Sequence, residues 1–208
     1  MGWYDLFANF YDRSLEPLYR EQRRAAAEAL ELEPGHSVLD LPCGTGQSFA
    51  ELAKRVTPGG VVLGVDFSDG MLDKAQARID RATDWTNVHV IQADVHLLDD
   101  KRLVKTIARP QVDRLHVFLG LTAFPNWEAA FDRLWSLLAP GGRCVIVDVH
   151  AEQPSLQGHM VNLVARADIR RKVWAPLERV AEQFEKHDLP SRREHGGQLI
   201  LASGRKHG

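Results

Sequence analysis

The chain has 208 residues, 44% of them apolar and 26% charged, with a formal net charge of −2. A length of this order fits one domain with a core that needs no disulfide or metal staples, and the composition excludes disorder. The near-neutral balance excludes an overall basic field able to hold nucleic acid or an anionic membrane unaided.

The opening residues, Met1-Gly2-Trp3-Tyr4-Asp5, lack the basic and apolar regions of a signal peptide. Residues 3–11 are aromatic and read as short-helical, and residues 15–32 as a helix that Pro34-Gly35 ends. A strict rhythm then begins. Ser37-Val38-Leu39 is a short apolar run, followed by Gly44-Thr45-Gly46 and a helix over 47–56. Pro58-Gly59-Gly60 breaks that helix, and Val61-Val62-Leu63-Gly64-Val65 reads as a second buried strand. Ser68 is the expected N-cap of a helix reaching about residue 81. Val88-His89-Val90-Ile91 is the third strand, 97–108 a weaker helix, 112–119 the fourth strand and 127–138 a helix. Pro140-Gly141-Gly142 reads as a turn into the fifth strand, Cys144-Val145-Ile146-Val147. Beyond residue 150 the spacing predicts a helix over 161–187, broken near Pro176, and a hairpin over 192–201 that turns at Gly196-Gly197.

Short apolar runs alternating with amphipathic helices predict an α/β fold, a parallel sheet covered on both faces. Five parallel strands and a terminal hairpin make it a mixed, doubly wound sheet in one domain. Cys43 and Cys144 form no CxxC pair, which fits a reduced, cytoplasmic protein. No run approaches about 18 consecutive apolar residues, so no transmembrane segment is expected.

The chemistry concentrates at strand ends. Val38-Leu39-Asp40-Leu41-Pro42-Cys43-Gly44-Thr45-Gly46 joins the first strand to its helix, and glycines there allow close backbone approach to a ligand or simply a tight turn. Asp66 ends the second strand, 20 residues beyond Gly46; a carboxylate there can accept from both hydroxyls of a ribose, or cap the next helix. Asp94, in Gln92-Ala93-Asp94-Val95, can accept from an exocyclic amine while the next N–H donates to a ring nitrogen; its bland role is a solvated loop. Three acidic residues closing three successive strands line one edge of the sheet.

This arrangement resembles the class I S-adenosylmethionine-dependent methyltransferases over residues 36–150. Residues 40–46, Gly64-Val65-Asp66 and Gln92-Ala93-Asp94 look like the family's first three motifs, and residues 137–143 like the turn before its fifth strand. Phe124-Pro125-Asn126-Trp127 is similar to a segment of the branch that includes quinone-ring methylases and phospholipid-headgroup N-methyltransferases. The resemblance implies a Rossmann-like, doubly wound, seven-stranded sheet and S-adenosylmethionine as cofactor, with S-adenosylhomocysteine as product. It implies that Asp40 and the backbone of Cys43, Gly44, Thr45 and Gly46 face the methionine part, that Asp66 holds the ribose, and that Phe67 and Met71 flank the adenine. Ala93, Asp94 and Val95 would read the adenine edge, and Phe118 and Leu119 would pass near the amino group. Tyr11 and Tyr19 would close over the cofactor. Residues 1–33 would form an N-terminal helical lid, 36–150 the cofactor-binding core, and 151–208 a substrate-side helix and the terminal hairpin of one domain, 1–208. Pro42 stands where the family often has glycine; proline fixes φ and donates no N–H, so the position needs neither.

Transfer of a methyl group from a sulfonium is an in-line displacement whose electrophile is already activated, so alignment and water exclusion dominate. A general base is optional, and His150, past the fifth strand, is the placed candidate; His116 reads as core. The remaining histidines show no metal spacing, and Ser48 lacks a nucleophile elbow. A nicotinamide-dependent oxidoreductase would want a third glycine where Phe49 stands. A nucleic-acid methyltransferase would need a target-reading domain. A non-catalytic binder of S-adenosylmethionine shares every motif and differs in transferring no methyl. The expected acceptor is a small molecule or lipid headgroup. Ten Lys/Arg against six acidic residues over 166–206 form either a solvated face or a modest positive rim for an anionic substrate or lipid head groups, the latter allowing peripheral membrane contact.

Overall fold

The structure, a computed structural model, describes residues 17–208. Successive side chains of a strand point to opposite faces, and here both faces are apolar. Val38, Val62, Val145 and Val147 pack on one side, and Leu39, Leu63, Cys144 and Ile146 on the other. Such strands are stable only when covered on both sides. The strands are β1 (Ser37–Asp40), β2 (Val61–Asp66), β3 (Val88–Gln92), β4 (Val112–Phe118), β5 (Leu138–His150), β6 (Glu182–Leu189) and β7 (Gln198–Arg205). They form one sheet in the order β3-β2-β1-β4-β5-β7-β6. The first five are parallel; β7 runs antiparallel between β5 and β6.

Helices α1 (Arg20–Ala29), α2 (Phe49–Val56) and α3 (Asp69–Arg81) cover one face; α4 (Asp100–Ile107) and α5 (Trp127–Leu137) cover the other. α6 (Leu156–Ala165) follows β5, and α7 (Ala175–Val180) returns to the second face. Ser68 caps α3 as the sequence predicts, its Oγ accepting from Met71 N at 3.3 Å. The fully buried ring of Phe49 starts α2 and sits where a Cβ on Gly46 or Gly64 would come within 2.6 or 2.5 Å of it. One large ring thus demands two glycines opposite, which is why helix and sheet approach closely here without a third glycine at position 49. Arg114 and Arg143 lie side by side near the amino ends of β4 and β5, both buried. Their Nε groups donate to Leu30 O and Ala29 O at 2.7 and 2.6 Å, satisfying the carbonyls at the end of α1.

The C-terminal third departs from the sequence reading. Residues 182–187, expected to continue a helix, belong to β6, and the hairpin pairs β6 with β7 instead of turning at Gly196-Gly197. Glu182, Glu185, Lys186, His187 and Asp188 are exposed on this edge strand. Charged residues are poor strand formers but protect an open sheet edge from pairing with other chains, so the local pattern misleads. A short 3₁₀ turn, Arg193–His195, and Gly196 at φ +80° precede β7. Residues 161–187 are therefore the end of α6, a loop, the short α7 and β6. Likewise the second Pro-Gly-Gly lies within β5, because Val112 already pairs with Leu138 ahead of a bulge.

Asp148, on β5, is 2% exposed. Its carboxylate accepts from Thr122 Oγ1 at 2.7 Å, Val149 N at 2.9 Å and Thr122 N at 3.1 Å. Burial outweighs these donors and pushes the carboxyl from 3.8 up to about 6. The folded protein therefore keeps this proton to higher pH than the unfolded chain. The group's stabilising contribution is complete below about 3.8 and is lost as pH rises to about 6, roughly 3 kcal/mol in all. Asp148→Asn imitates the neutral carboxyl. Relative to wild type it should gain up to roughly 3 kcal/mol between about pH 4 and about pH 8, read from denaturant unfolding. A difference independent of pH would show that Asp148 is not the titrating group.

Candidate functional site

Strand order reverses between β1 and β4, since the chain moves from β1 toward β2 on one side and from β4 toward β5 on the other. Loops leaving the carboxyl ends of such neighbours diverge and leave a crevice. A cavity of about 480 Å³ opens there, walled by the loops that follow β1, β2, β3 and β4.

Cys43, Gly44 and Thr45 line it from the β1 side. Their backbone is fastened to β2: Cys43 N donates to Val65 O at 2.9 Å, and Gly44 N donates to Asp66 Oδ2 at 2.9 Å. Asp66 Oδ1 accepts from Ser68 N at 3.0 Å, so one carboxylate ties the β1 and β2 loops together while still lining the cavity. Burial raises the Asp66 carboxyl above its usual range, opposed by these two N–H groups. The Cys43 thiol is pushed well up by burial and then by Asp66 and Asp40, so it stays protonated and is no nucleophile. Arg78, from α3, donates to Thr45 O at 3.1 Å. Phe67 is 72% exposed and faces the cavity together with Met71.

From β3, Ala93, Asp94 and Val95 complete the opposite wall. Asp94 Oδ1 accepts from His96 N at 2.9 Å, opening a 3₁₀ turn. Phe118 and Leu119 enter from β4, and behind them Gly120, Ala123, Phe124 and Pro125 extend an apolar wall. Gly120 lies against Pro42, where a Cβ would stand 2.2 Å from Pro42 Cδ. The β1 and β4 loops meet at this contact.

Four expected site residues stand apart. Asp40 does not line the cavity: it is buried beneath the loop, with Oδ1 2.7 Å from His116 Nδ1. Its Oδ2 and the His116 Nε2 have no hydrogen-bond partner among the described residues. Gly46 is covered by Phe49. Tyr19 is buried, edge-on to Phe118 at 6.2 Å and 4.9 Å from His195. His150 stands edge-on to Trp174 at 4.9 Å and is absent from the cavity lining. Tyr11 lies outside the described residues. Sequence reasoning missed Arg23, a buried guanidinium of α1 that lines the cavity, hydrogen-bonds Gln47 and lies 5.5 Å over the Phe118 ring. Nothing separates it in sequence from Arg20 and Arg24. Among the described residues no group of three or more His, Cys, Asp or Glu could hold a metal ion, and no helix is long and apolar enough to cross a membrane.

A family model described as "Methyltransferase domain" matches residues 32–190. The demethylmenaquinone methyltransferase of Desulfitobacterium hafniense is 27% identical over 88% of this chain and 79% of its own length. The 2-phytyl-1,4-naphtoquinone methyltransferase of Thermosynechococcus vestitus is 30% identical over 73% of this chain and 65% of its own. Among solved structures, a geranyl diphosphate methyltransferase in complex with GPP and sinefungin superposes with a TM-score of 0.71, at 18% identity, over 90% of this chain and 77% of that one. This last likeness shows the fold.

The Gly120–Pro42 contact is testable. Gly120→Ala would drive a methyl group into a proline ring that cannot rotate away, and should cost on the order of 2 kcal/mol in denaturant unfolding. A variant as stable as wild type would mean that the two loops do not touch.

Proposed function

Because the chain belongs to the methyltransferase-domain family, as a class I S-adenosylmethionine-dependent enzyme acting on a small-molecule acceptor, we propose that the cavity over β1–β4 is where cofactor and acceptor meet. The donor set fits the cofactor. Asp66 and Asp94 offer carboxylates to ribose hydroxyls and to an exocyclic amine, between the apolar sides of Phe67, Met71 and Val95. Arg23 offers a guanidinium for an α-carboxylate. The whole chain acts as one catalytic domain in this reading.

When bound, the cofactor supplies a methyl group on a positively charged sulfur. What the chain must supply is alignment and exclusion of water. Gly44 and Thr45 bring backbone close to the amino-acid end, and the wall from Phe118 to Pro125 presents apolar surface to the acceptor. That wall suits a flat, apolar ring better than a charged headgroup. The cations expected to form a positive rim are largely engaged: Arg171 and Lys206 donate to backbone carbonyls, and Arg205 pairs with Glu31. We therefore assign the acceptor to quinone-type rings, the class that the names of the two relatives describe, and take the ring in its reduced form because a nucleophile is needed. The ring's own oxygen makes its neighbouring carbon nucleophilic, so no side-chain base is required for attack: the sulfur–methyl bond breaks as the carbon–methyl bond forms, and the proton of that ring carbon then leaves to solvent as the ring regains aromaticity. His150, away from the cavity lining, is given no catalytic role.

Asp66 is the observation that carries this reading, since its carboxylate lines the cavity already fixed by two N–H groups. Titration calorimetry should show binding of S-adenosylhomocysteine and none of NAD. Asp66→Ala should weaken binding about ten- to a hundredfold, with Asp66→Asn in between, because charge-assisted bonds contribute about 1.5–3 kcal/mol each before desolvation. S-adenosylhomocysteine should be released when a short-chain 1,4-naphthohydroquinone is supplied with cofactor. Undiminished affinity in Asp66→Ala would displace the cofactor from this cavity.

A further inference from the structure

The wall facing the acceptor, residues 119–126, has a fastening of its own. Leu119 adopts φ +54°, a left-handed conformation that a branched side chain holds only under constraint, and its N–H donates to Val147 O at 2.8 Å. Leu119, Gly120, Ala123 and Phe124 line the cavity, whereas Leu121 and Thr122 turn away from it and are buried. Thr122 is gripped from both sides. Its N–H and hydroxyl donate to Asp148 on β5, at 3.1 and 2.7 Å. Its carbonyl accepts from Asp168 N at 2.8 Å and from Arg171 Nη1 at 3.0 Å. The same Arg171 nitrogen reaches Phe124 O at 2.6 Å and Leu121 O at 3.4 Å. An acid on β5 and a base in the loop between α6 and α7 thus hold one loop between them, and neither lines the cavity.

We propose that Asp148, Thr122 and Arg171 are positioning residues that set the acceptor-side wall independently of the cofactor side. A carboxylate buried in a sheet costs more than an apolar residue of the same size would. Here it occupies all the donors of a residue that turns its back on the cavity, fixing the neighbours that face in. The cofactor-side loop is fastened by other groups, Asp66, Arg78 and the Cys43 N–H. The two fastenings meet at Gly120 and Pro42. Loosening the Thr122 frame should therefore widen the acceptor side and spare the cofactor side. Displacements of about 1 Å in such a wall are enough to change turnover about a hundredfold.

This inference rests on the catalytic reading above, and the experiment separates the two. Thr122→Val removes the hydroxyl and keeps the shape; Thr122→Ser restores the hydroxyl; Arg171→Met, at a half-buried position, releases the carbonyls. For the first and third, KM for a short-chain 1,4-naphthohydroquinone should rise about tenfold while the S-adenosylhomocysteine Kd stays within about twofold. Amide hydrogen exchange over 119–126 should quicken by about tenfold, with 41–46 and 93–96 keeping wild-type protection. Thr122→Ser should return both readouts to wild type. A parallel loss of S-adenosylhomocysteine affinity, or unchanged exchange over 119–126, overturns the proposal. Arg171→Met yields the same readouts should Thr122→Val fail to fold. If the wild type binds S-adenosylhomocysteine but leaves the naphthohydroquinone unmethylated, the quinone assignment falls, and exchange over 119–126 with the serine rescue decides the frame by itself.

Discussion

The reversal of strand order between β1 and β4 is the constraint from which the site follows. Strands buried on both faces have no room for polar side chains along most of their length, so polar groups collect at the strand ends. At the carboxyl ends, the loops after β1 and β4 leave in opposite directions, and the space between them cannot be closed by backbone. Asp66 and Asp94 reach this space because β2 runs two residues past Gly64, its residue level with the end of β1 at Asp40, and β3 stops level with β2, Gln92 opposite Asp66. Asp66 then does two jobs. By accepting from Gly44 and Ser68 it shapes the loops whose gap it lines, so the residue placed to hold a ligand also holds the walls that receive it.

Charge is used sparingly around the cavity. Asp66 and Asp94 lie on one side, Arg23 on another, and the wall from Phe118 to Pro125 is apolar apart from its backbone. In the proposed reading the cofactor takes the charged flank and the acceptor the apolar one. Arg23 and Phe118 stand at the seam, a guanidinium over a ring, and His116 stacks 5.8 Å beneath that same ring. The Asp40–His116 pair, fully buried, therefore contacts the cavity through Phe118 and through the loop above it.

Much of this was legible in the sequence because it depends on local rules. Ser68 announced a helix start, the apolar runs announced doubly covered strands, and the carboxylates ended those runs. What escaped was set by distant partners. β6 carries a charged, helix-like pattern because it lies at a sheet edge, a property of topology that no window of residues records. Asp40 fits the same pattern as Asp66, yet a histidine 76 positions along the chain, on the neighbouring strand, turns it away from the cavity. Arg23 resembles its helical neighbours Arg20 and Arg24, and helix phase alone turns it inward while they remain exposed. Arg171 sits in a basic stretch whose ordinary fate is solvent, and three carbonyls of a loop some fifty residues away claim it instead.

Helix α1 behaves as a strut laid across the sheet. Its last carbonyls are held by Arg114 and Arg143 near the amino ends of β4 and β5. Near its other end, Tyr19 and Arg23 press on Phe118 at the carboxyl end of β4. Ten residues of helix cover about 15 Å, so the strut transmits position between opposite rims of the sheet. Lesions at Arg114 or Arg143 would then masquerade as lesions of the cavity, shifting Arg23 although neither residue lines it.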